Sequence, residues 1–114
     1  IRGALEHLRE RTWLLYKGNI IEIQNISKND DEFVMNPEQV YNYSDGIEAI
    51  IHSHEDTCSP SYMDLNNMMS WKIPWFIISK RCIKSYLFID TGVIELNIDP
   101  FILKELENLI MHLS

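Results

Sequence analysis

Residues 47–64 read IEAIIHSHEDTCSPSYMD. The stretch falls into three parts. Residues 47–54 are an apolar run of the length and β-branched content of a buried strand. Residues 55–60 are polar and close on Pro60, as a loop does. Ser61 then precedes Asp64 by three positions, the spacing of a helix-capping box, which predicts a helix from 61 to about 71. A strand that passes through a short loop into a helix is the building unit of an α/β fold.

The rest of the chain extends that reading in both directions. Residues 2–9 favour helix, with Ala4, Leu5 and Leu8 on one face. Residues 13–16 and 20–23 read as two strands joined by a turn at Lys17-Gly18-Asn19, a hairpin. Residues 25–36 are polar, and the acidic run Asp30-Asp31-Glu32 reads as a solvated loop. Asn36 as N-cap and Pro37 as first helical residue open a helix to about Tyr43. Downstream, 74–79, 83–89 and 93–98 read as strands, with Thr91-Gly92 turning between the last two. Asp99-Pro100 opens an amphipathic helix carrying Phe101, Leu103, Leu106, Leu109, Ile110 and Leu113. Trp75 and Phe76 belong to the core, and Met63, Met68, Met69 and Trp71 read as core filling rather than as a partner surface. The order α, β, β, α, β, α, β, β, β, α predicts an α/β domain, a mixed sheet flanked by helices.

The chain has 114 residues, so residues 1–114 form one domain. Ten Lys and Arg against 17 Asp and Glu give a net charge of -7, which argues against a nucleic-acid face and against anionic membrane surfaces. No apolar run approaches the roughly 20 residues of a membrane span. The basic-then-apolar layout of a signal peptide is missing from the first residues. Two cysteines, Cys58 and Cys82, are few for a disulfide scaffold, and both are expected to be reduced. His7 and His112 read as surface residues on helices.

Chemistry concentrates at residues 52–64. Alternation along a strand places the His52 and His54 imidazoles on one face, with Ser53 pointing away. Two neutral imidazoles suit zinc, and a catalytic zinc needs a third protein ligand and an open position. Asp64, on the first turn of the next helix, supplies that ligand. Ser61 and Asp64 also cap their helix, and the two roles are compatible, since a fixed cap holds Asp64 in place. Cys58 could be read as a fourth ligand closing the site, but a small loop residue is the simpler reading.

The string HSH, five residues, then PSxxD resembles the signature of the JAMM (JAB/MPN) metalloprotease family, in the short-loop form of the prokaryotic JAB domain of phage tail assembly proteins of the lambda K type. Asn25-Ile26-Ser27, Phe33, Asn36-Pro37 and the segment SWKIPWFIIS at 70–79 resemble other parts of that form. The resemblance covers nearly the whole chain. It implies a JAB/MPN-like, cytidine-deaminase-like sheet, one catalytic zinc ion on His52, His54 and Asp64, and amide hydrolysis by zinc-activated water. Glu10, in the stretch ERTWLL, then matches the family's glutamate, a general base. Ser61 matches its serine, a donor to the developing oxyanion.

Three features depart from the family pattern. Glu55 replaces the proline after the second histidine, a negative charge suited to selecting basic substrate residues. Arg11-Thr12-Trp13 replaces a small-residue segment, which is expected to narrow the substrate channel and leaves Glu6 and Glu22 as rivals to Glu10. The second, cysteine-peptidase domain that many such tail proteins carry has no counterpart among these 114 residues. The resemblance implies a zinc peptidase or isopeptidase in phage tail assembly, in the bacterial host cytoplasm or the virion tail. Its substrate would be a protein or peptide, either a tail component, a cell-wall peptide or a ubiquitin-like conjugate. The alternatives are a non-catalytic tail-tip assembly module that keeps the metal site, and a deconjugase of a bacterial ubiquitin-like system.

Overall fold

The computed structural model describes residues 10–28 and 33–113. The helix expected over 2–9, with Glu6 and His7, and the acidic run at 30–32 lie outside the described residues. The elements run β1 (Thr12–Tyr16), β2 (Asn19–Ile23), α1 (Pro37–Asn42), β3 (Ile47–Ser53), α2 (Tyr62–Ser70), β4 (Trp75–Ile78), β5 (Ile83–Ile89), β6 (Gly92–Leu96) and α3 (Pro100–Met111). The six strands form one sheet in the order β2-β1-β3-β4-β5-β6. Only β3 and β4 run parallel, as they must when α2 crosses between them; every other neighbouring pair is antiparallel. The α/β class and the mixed sheet agree with the expectation from sequence.

Local chemistry sets the element ends. The first hairpin pairs Tyr16 with Asn19, so its loop is two residues, Lys17-Gly18. Both have positive φ, 48° and 84°, the backbone of a type I′ turn, which glycine adopts without strain at the second position. The Asn36 side chain accepts from the Glu38 and Gln39 amides, and Pro37 follows it. Asp99 caps α3 in the same way through Phe101 and Ile102. The last strand ends at Leu96, two residues before the expected Ile98.

Alternation divides the core between two faces. Trp13, Leu15, Ala49, Ile51, Phe76 and Ile78 pack with Leu106 and Leu113 from the C-terminal helix region. Leu14, Ile50, Trp75 and Ile77 pack on the opposite side with Met68 of α2 and Phe33. Met68 is fully buried, but Met63, Met69 and Trp71 are 46%, 52% and 36% exposed, so of the four residues expected as core filling only Met68 fills the core. The reason is helical geometry: α2 turns one face to the sheet, and the others fall outside it. Among the described residues, no helix is long and apolar enough to cross a membrane.

Cys58 and Cys82 form a disulfide, which corrects the expectation that both are reduced. They are 24 residues apart in sequence, but the fold lays the loop before α2 against the β4–β5 turn and brings their Cα atoms to 6.1 Å, within bridging range. That approach is a tertiary event which a count of two cysteines does not reveal.

Candidate metal centre

The sheet's alternation collects the site. Thr12 pairs with His52 across β1 and β3, and Leu14 with Ile50. Glu10 precedes this strand by two residues and so shares the face of Thr12 and Leu14. On β3 the same parity gives Ile50, His52 and His54. The His54 amide donates to Ile78 O at 2.8 Å, prolonging the β3 track by one residue. Ser53 turns the other way, as expected.

Asp64 arrives from α2. Its Oδ2 accepts from the Ser61 amide at 2.8 Å, while Ser61 Oγ accepts from the Asp64 amide at 3.1 Å. Both halves of the capping box are therefore present. Asp64 Oδ1 lies 3.2 Å from His52 Nε2, and Oδ2 lies 3.0 Å from His54 Nε2. Glu10 stands on the other side: Oε1 is 3.4 Å from His52 Nδ1 and Oε2 is 3.9 Å from His54 Nε2. Potential ligand atoms of Glu10, His52 and His54 all lie within 4.8 Å of one another. The structure thus brings Glu10, His52, His54 and Asp64 together, and it makes Glu10 a possible ligand as well as a base. Ser61 is an exposed residue joined to the cluster through Asp64.

His52 is the most enclosed member of the cluster. It is wholly buried, yet neither ring nitrogen has a hydrogen-bond partner of adequate geometry. An unpaired buried polar atom costs on the order of 1–3 kcal/mol. Aromatic rings enclose it, Phe33 at 4.4 Å and Trp75 at 5.9 Å between centroids. Asp64 meets the two histidines through different oxygens, and the atoms within mutual ligand range belong to Glu10, His52 and His54. Imidazoles and carboxylates together could hold a metal ion.

Charge is distributed accordingly. Burial opposes ionisation of His54, but the hydrogen bond and charge of Asp64, with the charge of Glu10, outweigh it and raise the imidazole pKa above its usual value. Burial likewise opposes charge on Asp64, and His54, His52 and the Ser61 amide outweigh it, lowering that carboxyl's pKa.

The rivals and departures are placed by the same parity. Glu22 pairs with Trp13 across the first hairpin and lies on the opposite face, where it holds Arg11 at 2.8 and 2.9 Å. Arg11 also stacks over Trp13 and reaches the His112 carbonyl at the end of α3. The bulky Arg11 and Trp13 therefore point away from the histidines, and the expected narrowing of a channel at the metal face does not arise from them. Glu6 lies outside the described residues. Cys58, bonded to Cys82, has no thiolate to offer a metal, which removes it as a fourth ligand. His112 is exposed, as expected, and Glu55 is exposed beside His54.

Sequence reasoning did not foresee how the loop between His54 and Asp64 is anchored. Ser79, fully buried, donates from Oγ to Asp56 O at 3.0 Å and accepts from the Arg81 amide at 3.1 Å. Tyr86 donates to Cys58 O at 2.8 Å. With the disulfide, these contacts tie the segment between His54 and Asp64 to β4 and β5. No short-range pattern signals such contacts.

No protein-family model and no curated protein matches the chain. Among solved structures, the solution structure of protein DSY2949 from Desulfitobacterium hafniense is similar, at 23% identity and a TM-score of 0.67, over 80% of this chain and 77% of that one. At that identity the likeness is one of fold.

Proposed function

We propose that this chain is a JAMM-type zinc metalloprotease, hydrolysing a peptide or isopeptide bond. One observation carries the reading: the wholly buried His52 with both ring nitrogens unpaired, set between the carboxylates of Asp64 and Glu10. His52, His54 and Asp64 would hold the metal. Asp64 is taken as the third ligand because it faces the Nε2 atoms of both histidines and its capping box fixes it. Zinc bound there would supply a Lewis acid and lower the pKa of a water. Glu10 faces His52 Nδ1 at 3.4 Å and His54 Nε2 at 3.9 Å, on the side of His52 away from Asp64. As general base its carboxylate would accept a proton from water and pass it to the leaving amine. The Ser61 hydroxyl uses a lone pair on the Asp64 amide and keeps its proton to donate to the developing oxyanion. Exposed Glu55 at the rim favours basic residues in the substrate.

The JAB/MPN form of the fold and a role in phage tail assembly belong to this proposal and rest on the sequence resemblance. The disulfide favours work in the virion or another oxidising setting over the host cytoplasm. A non-catalytic assembly module is the second reading, favoured by the apolar stripe of Tyr62, Leu65 and Met69 on the outer face of α2, 81%, 37% and 52% exposed.

The test is the zinc content of protein prepared without chelator or nickel, beside Asp64→Ala, followed by a peptide-library digest with wild type and His54→Ala. About one zinc per chain, lost in Asp64→Ala, together with cleavage lost in His54→Ala, supports the proposal. A folded protein that refuses zinc, or cleavage unchanged in His54→Ala, overturns it.

A further inference from the structure

Glu10 lies two residues outside β1, beyond the paired register of the sheet, so strand pairing alone does not hold it. Its neighbour is gripped by Ser53. The Arg11 amide donates to Ser53 Oγ at 2.8 Å, and the Ser53 amide donates to Arg11 O at 2.9 Å. Glu10 itself is gripped by Asn25, whose Nδ2 donates to Glu10 O at 2.7 Å. The other end of that amide is committed as well: Asn25 Oδ1 accepts from the Ser27 and Val34 amides, each at 2.9 Å. Two backbone donors on one end settle which end is oxygen, so the NH2 group must face Glu10. Asn25 also bridges to Met35, in the segment that carries Phe33 onto the His52 ring.

We propose that Asn25 is a positioning residue that fixes the Glu10 carboxylate beside the His52–His54–Asp64 cluster, through the hydrogen bond its side-chain NH2 donates to the Glu10 carbonyl. The catalytic consequence rests on the reading of Glu10 as general base; the positioning itself does not. The Asn25 side chain acts through the Glu10 carbonyl, to which it donates. It is 15 residues away in sequence and reaches Glu10 only because β2 leaves the sheet beside the start of β1.

Asn25→Asp and Asn25→Ala test this together. The first keeps an oxygen for the Ser27 and Val34 amides but puts a charged oxygen in place of the donor to Glu10; the second removes that donor without adding charge. Two readouts are taken. Crystal structures of zinc-loaded wild type and both variants are expected to show the Glu10 carboxylate displaced by about 1 Å or more in each variant. Zinc content is expected to be unchanged. With a synthetic peptide library as probe, kcat is expected to fall about 100-fold with KM within about twofold, the scale for a misplaced catalytic group. Gln39→Ala serves as control. It removes the bond from the Gln24 amide in the same segment and leaves Glu10's contacts intact, so it should lower Tm without lowering kcat. An unmoved Glu10, or a kcat unchanged in either variant, overturns the proposal. If wild type cleaves nothing, the hydrolytic reading fails, and the crystal structures still decide the positioning. If neither variant folds, the wild-type crystal decides: an Asn25 amide turned away from Glu10 O overturns the inference.

Discussion

Among the charged groups at the cluster, Glu10 and Asp64 are both carboxylates and their tasks differ by placement. Asp64 accepts a backbone amide and touches both histidines, whereas Glu10 stands farther off. Glu10→Gln is therefore expected to keep its zinc while hydrolysis falls on the order of 10²–10⁴-fold, the range for a lost general base. Metal analysis beside a peptide assay checks it, and zinc loss in that variant would make Glu10 a ligand. The His54–Asp64 pair also predicts a pH response. His54 is raised above 6.5 and Asp64 lowered below 3.8. In metal-free protein the carboxyl's share of stability is present above 3.8 and lost as pH falls through its lowered value. The imidazole's share is present below 6.5 and lost as pH rises through its raised value. Metal-free Tm should therefore be highest between these limits. Zinc needs unprotonated imidazole, so it should add more to Tm at about pH 8 than at about pH 5.5. A zinc-induced gain equal at both would contradict this.

At the scale of elements, α2 couples folding to the site. Its N-cap and the carboxylate that meets both histidines are the two ends of one capping box. Ser61→Ala removes half of it. The expected cost is about 1 kcal/mol of stability. Because Ser61 also orients the carboxylate proposed as a ligand, zinc affinity should fall roughly 10–100-fold. Denaturant titration and zinc competition measure the two separately. Met68, the buried anchor of α2, is different in kind. Met68→Ala should cost about 2–5 kcal/mol through the cavity it leaves. Zinc should partly restore that loss, since it binds only the folded state. These elements were largely legible beforehand. Caps such as Asn36-Pro37, Ser61 with Asp64 and Asp99-Pro100 are short-range signals, and the strands carried apolar runs of the right length. The end of β6 was less legible: its pairing stops at Leu96 opposite Ser85, although β5 itself begins two residues earlier at Ile83.

Over the whole molecule, the disulfide spans 24 residues and links the ligand loop to the β4–β5 turn. Chain-entropy arithmetic for such a loop gives about 3 kcal/mol. Reduction, or Cys58→Ser with Cys82→Ser, should lower Tm by on the order of 10 °C in a chain of this size. It should also speed zinc loss to a chelator, because the segment between His54 and Asp64 loses an anchor. An unchanged rate of zinc loss would show that Ser79 and Tyr86 hold the loop unaided. The sheet's two faces govern the rest: α3 covers one, and the cluster with α2 occupies the other.

Sequence by itself determined the order of the described strands and helices, the caps, the shared face of His52 and His54 and the candidacy of Asp64. Those properties depend on neighbours within a few positions, and alternation or spacing expresses them directly, whereas Glu10 was singled out only by the family resemblance. Tertiary structure alone decided which glutamate faces the histidines, where Arg11 and Trp13 point, the Cys58–Cys82 bond, the burial of His52 and the Asn25 grip on Glu10. Each of these depends on strand register and on which segments the sheet brings side by side. A one-residue shift in register would exchange Glu10 for its neighbour on the metal face.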